Sequence, residues 1–193
     1  MAQHISNPDV RVQPQQDAAQ PITLQAAPYL ALSAAWVATC GSLFMSEVLG
    51  WTPCLLCWYQ RILMYPLSLI ITIGLLRRDR ALPVYVLPLS LFGAGIAIYH
   101  YLLQKTTWLP PPACSTTVPC TADYINLLGF ITVPFLALTA FLVISLAMVA
   151  MLWSRGNTAQ TSDDAPSVGY DTVAIIGIAG AIVVSFVVAA RLV

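Results

Sequence analysis

Two cysteines three residues apart, with an arginine four residues after the second, are the stretch best equipped for chemistry: Cys54, Cys57 and Arg61 in CLLCWYQR. At helical spacing they share one face. Thr52 suits a helix N-cap and Pro53 the first helical position, so a helix is expected to start here with Cys54 in its first turn. There the helix dipole and free N–H groups favour a thiolate. Cys-x-x-Cys spacing suits a reversible disulfide, with a structural disulfide or half of a metal site as the alternative. Arg61 weighs toward reactivity. It is followed by the nearly uncharged run 63–76, and a charge inside a membrane span costs roughly 2.5–3.5 kcal/mol on insertion scales. It either snorkels to the nearby surface or faces the interior, where it would stabilise a thiolate or an anionic ligand.

Three further residues belong with this group. His100 lies near the end of another apolar run, at a depth similar to Arg61, where it is either an interfacial histidine bonded to backbone or the second flank of one pocket. A histidine and an arginine near a redox sulfur would suit a quinone, whose carbonyl oxygens need donors as negative charge develops. Cys114 and Cys120 form a second pair in the polar, Pro-rich stretch 105–123, stiffened by Pro110, Pro111, Pro112 and Pro119. An exposed disulfide in such a loop is the labile type that exchanges with a partner thiolate. The four cysteines could instead hold zinc, although no supporting residues are evident and no metal is expected. Cys40, alone in an apolar run, reads as inert packing.

The elements that must position these residues are membrane helices. Hydrophobic residues make up 59% of the 193 and charged residues 8%, with mean hydropathy +0.79, far from the roughly 25% charge of a soluble domain. Eight basic residues balance eight acidic ones, so nothing suggests nucleic acid. The fold expected is an all-α integral membrane protein: a four-helix transmembrane bundle plus a fifth, C-terminal transmembrane helix. Residues 1–27 read as a disordered polar tail, neither secretory signal nor transit peptide. Residues 28–153 hold four spans, near 28–48, 54–76, 82–104 and within 125–153, a run long enough for a fourth span plus an interfacial turn. Residues 154–171 read as a polar linker and 172–193 as the extra helix. Arg77, Arg78 and Arg80 form the basic cluster, which places that turn in the cytoplasm and both cysteine loops outside.

These residues resemble the DsbB family of disulfide bond formation proteins, in its short-loop, BdbC-like branch. The resemblance is carried by GSLFMSEV, PCLLCWYQRILMYPL, IYHYLLQK, CSTTVPC and YINLLGFITVPFLALTAF, over about 36–153. It implies a bacterial plasma-membrane enzyme that takes electrons from a DsbA/BdbD-like thioredoxin-fold thiol oxidase and delivers them to ubiquinone or menaquinone. By motif, Cys114–Cys120 would be the partner-facing disulfide and Cys54–Cys57 the quinone-facing one. Arg61 and His100 would lie beside the quinone, with Cys57 as the contacting thiolate. A vitamin-K-epoxide-reductase-like protein would carry its Cys-x-x-Cys late in the core rather than at the start of span two. A membrane scaffold or transporter subunit would have inert structural disulfides. The tail and fifth span lie outside the resemblance, so loss of everything after Arg155 is expected to leave disulfide-forming activity largely intact.

Overall fold

The computed structural model describes residues 22–106, 118–121, 125–126, 128–158 and 168–192. Helices α1 (Ile22–Leu43), α2 (Leu55–Leu76), α3 (Leu82–Lys105), α4 (Val133–Thr158) and α5 (Val168–Leu192) are each long and apolar enough to cross a bilayer. No strand occurs among the described residues. This is an all-α, multi-pass membrane protein. With no water in the hydrocarbon core, only such internally bonded segments satisfy their backbone groups.

Helices α1 to α4 close into a ring in which each packs on the next and α4 returns to α1, while α5 lies outside against α1 and α2. The α2–α3 turn shows how the sequence sets this arrangement. Arg78 adopts a left-handed conformation (φ 53°), which lets the Asp79 amide bond back to the Gly74 carbonyl at 2.8 Å and stop the helix. The Asp79 carboxylate accepts from the Ala81 amide at 2.8 Å and the Tyr85 hydroxyl at 2.6 Å, and α3 begins at once. So short a connection leaves α2 and α3 antiparallel neighbours.

Lipid supplies no hydrophobic force between helices, so packing and polar ties hold the ring. Leu32, Leu67, Ile71, Val86, Phe141, Ile144 and Met148 fill its centre. The Trp36 indole donates to Thr72 Oγ1 at 3.0 Å between α1 and α2, and the buried hydroxyls of Ser90 and Ser145 lie 2.9 Å apart between α3 and α4. Gly93 lets α3 approach α4 closely, because a Cβ there would run into the Phe141 ring.

Several boundaries differ from those expected. Helix α1 starts at Ile22, inside the stretch read as a tail. Pro28 near its start forfeits one backbone bond, a loss the rest of the helix tolerates, and Ala27 is buried against the core. The expected disorder of residues 1–21 lies outside the described residues. Phe44–Val48 widens into a π turn at the end of α1. Before α4 the chain reverses through Leu128 (φ 55°) and Gly129 (φ 79°), the interfacial turn expected within 125–153. Helix α4 runs on to Thr158 and α5 begins at Val168, so the polar linker is shorter than 154–171.

Gly93→Ala should destabilise the bundle by about 1–3 kcal/mol, the usual cost of overpacking a core. Gly95→Ala, where nothing lies within 4 Å of the new Cβ, should be neutral or slightly stabilising. Reversible unfolding in mixed micelles measures both. Equal effects would refute the close α3–α4 contact.

Candidate redox site

The site starts at the first residue before α2. Cys54 is the N-cap, in extended conformation (φ −73°, ψ 171°), and its sulfur accepts the Cys57 amide at 3.5 Å. The cap is therefore Cys54 and not Thr52, and Pro53 lies outside the helix, because the helix starts at Leu55 and the Cys54 sulfur accepts the amide three residues on. Cys54 Sγ and Cys57 Sγ lie 3.2 Å apart, beyond a disulfide bond of about 2.05 Å. Both are free thiols, as are Cys120 and the buried Cys40.

His100 is 1% exposed and organises the surrounding polar atoms. Its Nε2 lies 3.1 Å from the Cys120 carbonyl oxygen. A carbonyl only accepts, so Nε2 carries the proton and Nδ1 accepts from Gln60 Nε2 at 3.4 Å. Cys54 Sγ, 3.7 Å from the same Nε2, can take only a share of that N–H. Its own S–H points to Cys57 Sγ. That bond, together with burial, pushes the Cys54 thiol up to about 12. The expectation that the helix N-terminus favours a Cys54 thiolate is thereby corrected. The proton stays on Cys54, and Cys57 is the acceptor of the pair.

Cys120 was expected on an exposed loop. It is 3% exposed instead, packed with Cys54, Leu56 and Leu103, because the His100 bond draws its backbone onto the α2–α3 end. Cys114 and the prolines at 110–112 lie outside the described residues, and Pro119 is exposed.

Arg61 does not snorkel freely, and among the described residues it sits on no carboxylate. Its Nη2 donates to the Ser42 carbonyl at 3.1 Å and Nη1 to Ser46 Oγ at 3.3 Å, and its guanidinium carbon lies 5.6 Å from the centre of the Trp58 ring. The arginine is thus tied to the π turn of α1, a distortion common at functional sites. A cavity of about 510 Å³ opens beside it, lined by Cys54, Cys57, Gln60, Arg61, His100 and Thr132 among mostly apolar residues. Arg61 and His100, placed at similar depth from sequence, do line one space. Thr132 is fully buried, and its Oγ1 has no hydrogen-bond partner among the described residues. Gln60 and Thr132 were not anticipated. The only available signal for Gln60 was an amide in an apolar run, one residue before Arg61. The ligand atoms of Cys54, Cys57 and His100 lie within 4.8 Å of one another, close enough for a soft cation, provided the imidazole first releases the Cys120 carbonyl.

Residues 25–153 match the family described as disulfide bond formation protein DsbB. The chain belongs to the DsbB family. Similar relatives include the probable disulfide formation protein C of Halalkalibacterium halodurans, 49% identical over 120 residues, covering 61% of this chain and 87% of the relative. The disulfide bond formation protein C of Bacillus subtilis is 50% identical over 124 residues, covering 61% and 88%. The probable disulfide formation protein C 1 of Bacillus anthracis is 45% identical over 128 residues, covering 66% and 92%. No solved structure matches significantly. The DsbB match ends five residues before the end of α4, so α5 lies wholly outside it.

In this DsbB-family site Cys57→Ala removes the largest cause that keeps the proton on Cys54. Cys54 should then titrate below about 12. In the reduced protein its alkylation by iodoacetamide at about pH 8.5, the ordinary thiol range, should be faster than in wild type. Mass spectrometry of the labelled peptide follows the rate. An unchanged rate would assign the shift to burial alone.

Proposed function

We propose that this DsbB-family protein is a quinone-dependent thiol–disulfide oxidoreductase. It reoxidises a thioredoxin-fold thiol oxidase of the DsbA/BdbD kind and so sustains disulfide formation in exported proteins. The observation that supports this reading is convergence. The Cys54–Cys57 pair, the buried Cys120 and the cavity beside Arg61 meet at one end of the bundle. Arg77, Arg78 and Arg80 occupy the opposite end of α2. By the positive-inside rule the cysteine end is then extracytoplasmic in a bacterial plasma membrane.

The residues present suit a quinone. The walls are mostly apolar, as a lipid-soluble ring requires. The Thr132 hydroxyl, without a partner among the described residues, and the further N–H groups of Arg61 offer donors to carbonyl oxygens. A quinone held there supplies a two-electron, two-proton sink. Arg61 would orient it and hold the Cys57 thiolate charge close by.

The sulfur chemistry then runs inward by exchange. A thiolate of the reduced partner attacks Cys114 of a Cys114–Cys120 disulfide. A mixed disulfide forms and Cys120 leaves as a thiolate. Cys120 attacks Cys54 of the oxidised first pair, so the Cys54–Cys120 bond forms, the Cys54–Cys57 bond breaks and Cys57 leaves with the electron pair. The partner's second thiolate displaces Cys114, and the partner departs oxidised. Cys114 then attacks Cys120, re-forming the outer disulfide and releasing Cys54. Closure of Cys54–Cys57 gives up two electrons to the acceptor.

Arg61→Ala protein should insert and accept electrons from its partner in one turnover, yet lose about tenfold or more in kcat/KM for quinone, roughly the worth of a charge-assisted hydrogen bond. Unchanged quinone kinetics would refute its assignment. Cys120→Ser should accumulate a covalent complex between Cys114 and the partner, read on non-reducing gels and by mass spectrometry. Trapping on Cys54, with Cys114 dispensable, would reverse the order of the relay.

A further inference from the structure

Helix α5 lies outside the family match, yet it is seated on the site. Ile175, Ile178, Ile182 and Phe186 fall on one face at helical spacing. Ile175 is buried in the main core with Ile178 packed against that core, which anchors the start of the helix. Phe186, further along, lines the same cavity as Cys57, Arg61 and Thr132. Its ring atoms lie 3.8 Å from the point where a Gly41 Cβ would be, and it meets Phe44 edge-on with centroids 6.0 Å apart. Because Gly41 presents no side chain, the ring reaches the inner surface of α1. Phe44 opens the π turn whose Ser46 binds Arg61. On the opposite face, Val184 is 61% exposed.

We propose that Phe186 is a ligand-binding residue of this site: α5 closes the cavity on the α1 side, and Phe186 is the wall against which the lipid-soluble quinone rests. The inference rests on the quinone reading above and deepens it by naming an element that holds the ligand. Without the ring the cavity would open toward lipid beside Gly41 and Phe44, and acyl chains would compete with the ligand for the apolar walls. This replaces the expectation that the fifth span is dispensable. A protein with four spans alone would keep its cysteine chemistry and hold its acceptor poorly.

The test uses the full-length protein in detergent, with menaquinone-4 as the probe. Binding is followed by quenching of tryptophan fluorescence, since Trp51 lines the cavity. Phe186→Ala should raise Kd and quinone KM about tenfold, as expected for loss of a large apolar contact, with kcat within about twofold because the reacting groups are untouched. Single-turnover oxidation of a dithiol substrate should not change. Val184→Ala, facing outward on the same helix, should bind as wild type does. Phe186→Leu, which retains packing against Gly41, should show a smaller loss of about threefold, and it keeps the test open should the alanine variant fail to fold. Wild-type affinity in Phe186→Ala or Phe186→Leu would overturn the role of α5 and leave the relay standing. Equal losses in Val184→Ala would overturn it too, as a general effect on the helix. Failure of the wild-type protein to bind the probe would instead sink the quinone reading and this inference with it.

Discussion

The hydrogen bond from His100 Nε2 to the Cys120 carbonyl is the constraint on which the redox site depends. It joins α3 to the second loop through an imidazole with almost no access to solvent. It also fixes where protons lie. With Nε2–H committed to a carbonyl, Nδ1 must accept, and Gln60 is the residue that donates to it. Cys54 then finds no base in the histidine and turns its S–H to Cys57. The proton therefore stays on Cys54 through its bond to Cys57 and its burial, with the histidine unable to take it. The asymmetry suits a pair in which one sulfur is attacked and the other leaves.

A second constraint comes from the membrane. Arg61 is costly to insert, and the end of α1 offsets the cost with two acceptors, the Ser42 carbonyl and, on the widened turn, Ser46 Oγ. The same turn carries Phe44, against which α5 packs. Charge satisfaction and closure of the cavity are therefore one structural arrangement. Tyr65, one turn beyond Arg61, adds a 3.4 Å bond from its hydroxyl to Ser42 Oγ, which extends the polar seam between α1 and α2.

Five spans and the Cys54–Cys57–Arg61 constellation were legible in the sequence because apolar runs, a Cys-x-x-Cys and an intramembrane charge are local signals. What stayed hidden depends on tertiary contact. A Thr-Pro pair before Cys54 reads as a helix start, and nothing local says that a sulfur will take the capping role. The burial of Cys120 follows from a histidine twenty residues earlier in the chain. The inward stripe of α5 is invisible in a helix whose outward face is also Val and Ile, since in lipid both faces are apolar and hydrophobic periodicity vanishes. Ile22 to Ala27 were assigned to the tail because composition there is mixed, yet packing of Ala27 and Ala31 on the core extends α1 past Pro28.

Burial of Cys120 also bears on how the proposed relay avoids futile exchange. Thiolate attack at Cys114 releases Cys120 as the leaving group, and where that thiolate appears decides what it attacks next. On a solvated loop it could return to the mixed disulfide or react with any small thiol or disulfide. Here Cys120 lies in a dry cluster with Cys54 and Cys57 as its sulfur neighbours among the described residues. The nearby electrophile in the oxidised protein is the inner disulfide. Its attacked sulfur, Cys54, is held at the helix cap, while Cys57 leaves toward Arg61 and the cavity. In the proposed relay direction would therefore come from position more than from any difference in intrinsic reactivity. In the proposed relay the loop would deliver its electrons inward because that is where its buried sulfur has been drawn.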